Sequence, residues 1–250
     1  MDRIVIRTHG GLGNQIFQVF FGMVRHQGKI ILHHDDRYDH SFQLANCFQS
    51  YFTESVTFSE SLICSSRIVK LVEKLSSAVP EVRLGDRVFL DGYFQKFDFY
   101  SQVSDRRFSA GLHQLREILG IKGEPDRNML CHIRLADFFK TDVERSEAAN
   151  QRLFSLDDNT DFISSDDQLI MNDKACQKII NAKNLVHIET AGFSAEDIIR
   201  LMSSYRVIES NNSTLAFWAA VLNNSELIVD DVNLQKVFLL LKNINNYSNF

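Results

Sequence analysis

Arg3-Ile4-Val5-Ile6-Arg7, followed after Thr8 by His9-Gly10-Gly11-Leu12-Gly13-Asn14-Gln15 and then by Ile16, Phe17, Phe20 and Phe21, reads as strand, glycine-rich turn and helix in immediate succession. A turn of this kind exposes backbone N–H groups at the start of the helix. Those donors, with the positive end of the helix dipole, suit an anionic or polyhydroxy ligand. The turn is not a dinucleotide fingerprint, because counting from Gly11 the third glycine position is Ile16. It is not a P-loop either, since no Gly-Lys-Ser/Thr occurs. The side-chain amides of Asn14 and Gln15 add groups that hydrogen-bond sugar hydroxyls or phosphate oxygens.

Working outward, strand-like and helix-like segments alternate. Strands are expected at Ile4–Arg7, Lys29–His33, Arg87–Leu90, Met129–Ile133, Phe162–Ser164, Leu185–Ile188, Val207–Ile208 and Leu227–Val229. Helices are expected over Gln15–His26, Ser66–Leu75, residues 106–119 and Thr214–Leu222, and from the cap Ser194 to about Tyr205 with Asp197 as its capping-box partner. Residues 34–60 are poorly periodic. Gly120 to Asp126 holds two glycines and one of the two prolines, and marks a domain boundary. The alternation predicts an α/β fold with parallel sheets and helices on both faces.

The 250 residues suffice for one large domain or two smaller ones. The net charge of -5 gives no reason to expect a nucleic-acid partner. No 18-residue apolar run is present, and the chain opens directly on a strand, so neither a membrane span nor a signal peptide is expected. Cys47, Cys64, Cys131 and Cys176 are widely spaced, which speaks against a zinc site and a disulfide framework and for a reducing cytoplasm. His33, His34 and His40 lack metal-ligand spacing.

Three further stretches carry candidate chemistry. In Cys131-His132-Ile133-Arg134-Leu135-Ala136-Asp137, His132 and Arg134 stand at spacing two at a strand's carboxyl end, and so share a side of the sheet. An arginine there clamps phosphate oxygens with its fork, or pairs with Asp137. In Ser210-Asn211-Asn212-Ser213-Thr214, hydroxyl and amide side chains precede a helix, where they cap it, bind an anion on the same N–H groups, or both. Asn211, Asn212 and Asn223 stand in glycosylation-type sequons, read as accidental. In Phe162-Ile163-Ser164-Ser165-Asp166-Asp167, the paired carboxylates follow a strand. They favour a helix N-terminus, hold a metal with a nucleotide, or accept hydrogen bonds from a base or ribose.

Taken together these blocks resemble the α-1,2-fucosyltransferases of bacterial surface-polysaccharide synthesis, glycosyltransferase family 11. The family's Gly-Gly-Leu-Gly-Asn-Gln turn is matched at Gly10–Gln15, and its Asp-Gly-Tyr-aromatic-Gln block at Asp91–Gln95. Its His-x-Arg-Arg-Gly-Asp block is matched in part at His132–Asp137, with Leu135 and Ala136 replacing the second arginine and the glycine. A Phe-Ser-Asp-Asp-like block is matched loosely at Ile163–Asp167. A Ser-Asn-Ser-Thr-Phe-Ser-Trp-Trp-like block is matched in part at Asn211–Trp218, with Leu215, Ala216 and Phe217 departing from it.

The resemblance implies the GT-B arrangement, two Rossmann-like domains with parallel sheets facing across a cleft. Residues 1–122 would form the N-terminal acceptor-side domain and residues 123–250 the C-terminal nucleotide-sugar domain. It implies GDP-L-fucose as donor, inversion at the anomeric carbon, and transfer to the 2-hydroxyl of a galactoside in O-antigen synthesis, with no metal or other cofactor required. The acceptor would be a galactose-containing glycan or lipid-linked oligosaccharide. The place of work would be the cytoplasm, with peripheral contact at the inner face of the bacterial plasma membrane. Arg134 would be the catalytic group on the β-phosphate, Ser213 and Thr214 would hold phosphate oxygens, and His132 and Asp166 would serve the nucleoside end. Gly11, Gly13, Asn14 and Gln15 would form an opposing wall against donor phosphate or acceptor hydroxyl. No carboxylate stands out as the base for the acceptor. Two alternatives stay open: a GT-B transferase using another nucleotide sugar, and a degenerate sugar-binding homologue without catalysis.

Overall fold

Ile4, Val5 and Ile6 are buried at the centre of a sheet, where β-branched side chains fit the pleat. The computed structural model describes residues 2–26, 28–34, 81–100, 103–135 and 138–247. The poorly periodic stretch beyond residue 34, the helix expected over Ser66–Leu75, and Ala136 and Asp137 lie outside the described residues. By internal packing the chain divides into two units, Met1–Ile121 with Asn233–Phe250, and Lys122–Val232.

In the first unit the sheet order is β2-β1-β4-β3, with β1 Asp2–Thr8, β2 Gly28–His34, β3 Glu81–Leu84 and β4 Arg87–Leu90. β1 runs parallel to both neighbours, Ile4 lying opposite Ile30 and Val88, and Ile6 opposite Leu32 and Leu90. β3 is antiparallel to β4. It departs from the expected parallel arrangement because a tight turn at Gly85, with φ +61°, folds the pair into a hairpin.

Helix α1, Leu12–Arg25, starts three residues before the expected Gln15, directly on the cap Gly11. Its apolar face, Ile16, Phe17, Phe20, Phe21 and Val24, is fully buried. Gly22 lets the helix lie against β1, since a Cβ there would collide with the Ile6 side chain. Helix α2, Asp105–Leu119, packs on α1 through Phe108, whose ring stacks on Phe20 at 6.2 Å between centroids. It ends where Gly120 turns to φ +65°, with Gly120 N–H donating to Glu117 O and Ile121 N–H to Arg116 O.

The second unit holds five parallel strands in the order β7-β6-β5-β8-β9. They are β5 Arg127–Ile133, β6 Asp161–Ser164, β7 Val186–His187, β8 Tyr205–Ser210 and β9 Glu226–Ile228. From the first strand the chain steps outward twice to one side, returns, and steps outward to the other. That is the doubly wound order. The helices are α3 Asp142–Ser155, α4 Asp167–Asn172, α5 Lys174–Lys183, α6 Ala195–Ser203 and α7 Thr214–Leu222. Cys131, Ile133 and Leu135 pack with Leu153, Phe162, Ile170 and Ile180 on one side of the sheet. α7 is buried from Ala216 to Leu222, as its unbroken apolar sequence requires. The final helix, α8 Val232–Tyr247, was not anticipated. From Asn233 onward the chain belongs with the first unit rather than with the expected 123–250 domain.

Candidate functional site

The chain order reverses between β5 and β8. β5 leads to β6 on one side and β8 to β9 on the other, and right-handed crossovers place α3 and α7 on opposite faces. The loops leaving the carboxyl ends of β5 and β8 therefore part at this point, which is where open α/β sheets bind ligands. Arg134 leaves the end of β5, and Asn211-Asn212-Ser213 leaves the end of β8.

The two loops are joined by one amide. Arg134 N–H donates to Asn211 Oδ1 at 3.1 Å, and Asn211 Nδ2 donates to Arg134 O at 2.7 Å. Asn212 adopts φ +60°, and its Oδ1 accepts from Asp230 N–H at 3.1 Å and Asp231 N–H at 2.8 Å. The Arg134 guanidinium lies over the exposed ring of Phe138, 5.6 Å from its centroid.

His132 lies in register with Ser210 on β8 and Ile163 on β6. Its side chain is 8% exposed, and its Nδ1 is buried without a hydrogen bond among the described residues. Burial, with the Arg134 charge nearby, pushes the imidazole down to about 3, so the ring is neutral here. A buried polar atom without a partner costs about 1–3 kcal/mol. An anion or hydroxyl arriving at this end of β5 would supply one.

Ser213 is buried and caps α7, its Oγ accepting from Ala216 N–H at 3.3 Å. The capping reading therefore describes its side chain. The N–H groups of Thr214 and Leu215 meet no acceptor among the described residues. With the half-buried Thr214 beside them, they are open donors of the kind that helix N-termini offer to anions.

One strand over, Ser164 pairs with Ile133, and the carboxyl end of β6 opens into a pocket of about 830 Å³. It is lined by Arg145, Ser164, Asp166, Asp167 and Thr190 among others. Asp166 N–H donates to Ser164 Oγ at 2.9 Å, Ser165 Oγ donates to Asp166 Oδ2 at 3.2 Å, and Arg145 Nη1 lies 3.5 Å from Asp166 Oδ1. Asp167 pairs with His187 Nε2 at 2.9 Å. Arg145 comes from α3, which the sequence reading missed. Its signal was Thr141-Asp142-Val143-Glu144, which forms a complete capping box. Among the described residues no three His, Cys, Asp or Glu side chains come together to hold a metal ion.

His132, Arg134, Ser213 and Thr214 thus gather at the β5/β8 reversal, and Asp166 lies one strand away. Gly11, Gly13, Asn14 and Gln15 gather in the other unit, where α1 begins. There Gly10 takes φ +77°, and a Cβ on it would approach Asn14 Nδ2 to 2.8 Å. Gln15 is fully buried and donates to Gly10 O at 2.7 Å, so it braces the turn rather than lining a wall. Asn14 is half-buried, and its Oδ1 accepts from Gln95 Nε2 at 3.0 Å. Behind the turn, buried Arg7 and Asp91 pair at 2.8 Å, and His9 Nε2 lies 3.5 Å from Asp91 Oδ1. Phe94 takes φ +52°, and Tyr100 donates its hydroxyl to Phe94 O at 2.7 Å.

Leu135 is 1% exposed within the apolar cluster of the second unit. An arginine at this position would bury its charge among hydrocarbon, so the departure from the resembled block is matched by the packing.

No family model matches the chain. No curated protein matches it. Among solved structures, the crystal structure of the glycosyl transferase family 9 from Veillonella parvula DSM 2008 is similar over 91% of this chain and 80% of its own, with a TM-score of 0.40 and 11% identity. Among the described residues no helix is long and apolar enough to cross a membrane.

Proposed function

We propose that this chain is an inverting glycosyltransferase that moves L-fucose from GDP-L-fucose to the 2-hydroxyl of a galactoside. The observation that carries the nucleotide-sugar reading is the convergence at the β5/β8 reversal of the Arg134 loop, the unpartnered His132 Nδ1 and the N–H groups that open α7. A fixed cation and fixed dipoles at one point suit a diphosphate leaving group, because they meet the charge as it develops without reorganising. The pocket at the end of β6 supports the nucleoside half. Its Asp166 and Asp167 carboxylates complement the N1–H and N2–H₂ donors on the edge of guanine. The choice of fucose, of a galactoside and of O-antigen as the product rests on the resemblance of the five sequence blocks.

In the reaction the bond between the anomeric carbon and the β-phosphate oxygen breaks, and GDP leaves with the electron pair. The acceptor hydroxyl oxygen bonds to the opposite face of the anomeric carbon, and its proton passes to solvent water. Arg134 and the α7 N–H groups hold the departing oxygens, and His132 Nδ1 gains its missing partner. No metal ion takes part in this scheme.

Incubation with GDP-L-fucose and a panel of galactosides, followed by linkage analysis, tests the reading. An α-1,2-fucosylated product supports it. Transfer from UDP- or CMP-sugars alone would overturn the donor assignment. Absence of both transfer and donor hydrolysis with every nucleotide sugar would overturn the enzymatic one.

A further inference from the structure

The backbone ladder between β5 and β8 ends at the pair His132–Ser210. Beyond it the chain turns back on itself, Asn212 N–H donating to Ser210 O at 3.0 Å. Among the described residues no main-chain hydrogen bond joins the β8 loop to Arg134. The Asn211 side chain does so instead, presenting one acceptor and one donor to the N–H and C=O of Arg134 at 3.1 and 2.7 Å. A primary amide is the side-chain group that copies both halves of a peptide unit, so Asn211 extends the ladder by one residue across the reversal. Alanine makes neither bond, and serine has one oxygen on a side chain one bond shorter, where asparagine presents two separate atoms. The other end of Arg134 is set against the Phe138 ring. The two bonds fix the main chain that carries the fork, so less freedom is left for it to lose when a ligand arrives.

We propose that Asn211 is a positioning residue that acts on the ligand through Arg134, by fixing the Arg134 main chain across the β5/β8 reversal. The inference rests on the nucleotide-sugar reading. Asn211 need not touch the ligand. Its loss misplaces the arginine fork, and contacts to a diphosphate depend steeply on placement.

The test is a double-mutant cycle of GDP binding by isothermal titration on the full chain, with guanosine as the probe lacking phosphate. Asn211→Ala should weaken GDP about tenfold and leave guanosine within about twofold, while in the Arg134→Ala background the same change should add less than about twofold. A role confined to general loop stability predicts equal losses in both backgrounds, and that result overturns the proposal. GDP affinity that falls with Arg134→Ala but holds with Asn211→Ala overturns this proposal and leaves the nucleotide reading standing. An unaltered chain that fails to bind GDP overturns both. If Asn211→Ala does not fold, Asn211→Ser enters the same cycle, since its single, shorter-reaching oxygen cannot replace the two amide atoms.

Discussion

Gln95 Nε2 donates to Asn14 Oδ1 at 3.0 Å, joining the segment after β4 to the first turn of α1 across 81 residues of sequence. Two blocks recognised separately in the sequence are thus one structural feature. With Oδ1 occupied, the Asn14 amide keeps its N–H₂ donors, which make no hydrogen bond among the described residues. Asn14→Ala should reduce transfer about tenfold, the size of a lost hydrogen bond to a reacting partner, and should shift stability by about 1 kcal/mol or less. Steady-state kinetics with a denaturant melt check this. Unchanged kcat/KM would remove Asn14 from the reaction.

Asp91 sits behind that turn, with Arg7 at 2.8 Å and His9 at 3.5 Å, all but sealed from water. Removing one member of a buried ion pair strands the other. Asp91→Ala should cost about 3–5 kcal/mol of stability, whereas replacing Arg7 and Asp91 together with apolar residues of similar volume should cost much less. Urea unfolding of the single and double variants reads the difference. A single-variant loss below 1 kcal/mol would mean that the pair behaves like a surface one.

Ser213 and Thr214 divide the work at the start of α7. Ser213→Ala removes the cap and should cost about 1 kcal/mol with little change in GDP affinity. Thr214→Val removes the hydroxyl of a half-buried residue without touching the cap bond, and should weaken GDP while sparing guanosine. Thermal melts and isothermal titration separate the two. Equal GDP loss in both variants would return Ser213 to the ligand.

His132 gives a pH dependence of stability. The folded ring resists protonation down to about 3. The unfolded ring protonates near 6.5, so below that pH the unfolded chain binds the extra proton and stability falls as pH drops, by up to about 1.4 kcal/mol per pH unit from this group alone. Above that pH the group contributes no slope. His132→Gln should flatten the stability curve between pH 6.5 and 4 relative to the unaltered chain. Parallel slopes would show that the ring is solvated.

The sequence was legible where local signals agreed. Thr214–Leu222 and the Ser194–Asp197 capping box form as read, because each has a cap residue leading directly into its helix, an unbroken apolar run in the first and an apolar stripe in the second. β1 and β5 were seen from their apolar runs, though each extends further than expected because pairing carries strands past their apolar centre. α3 was missed because its exposed face dominates: only Ala149 and Leu153 are buried, too few for a visible stripe. β3 was missed because Glu81-Val82-Arg83-Leu84 is a short edge strand whose pairing depends on a turn. The placement of Arg134 and of the α7 start at strand ends was legible from spacing. The Asn211 clamp was not, since a side chain replacing a backbone ladder leaves no periodic trace. Gln15 was misread for a related reason: an amide beside a turn braces it as readily as it faces a ligand.

The central claim is that the β5/β8 reversal holds the diphosphate of a nucleotide sugar, and GDP titration of the unaltered chain against Arg134→Lys tests it most directly. Lysine keeps the charge and loses the fork, so GDP affinity should fall about tenfold or more while guanosine affinity and the circular dichroism spectrum stay as they were. Equal GDP binding by both proteins, or none by the unaltered chain, would contradict the account.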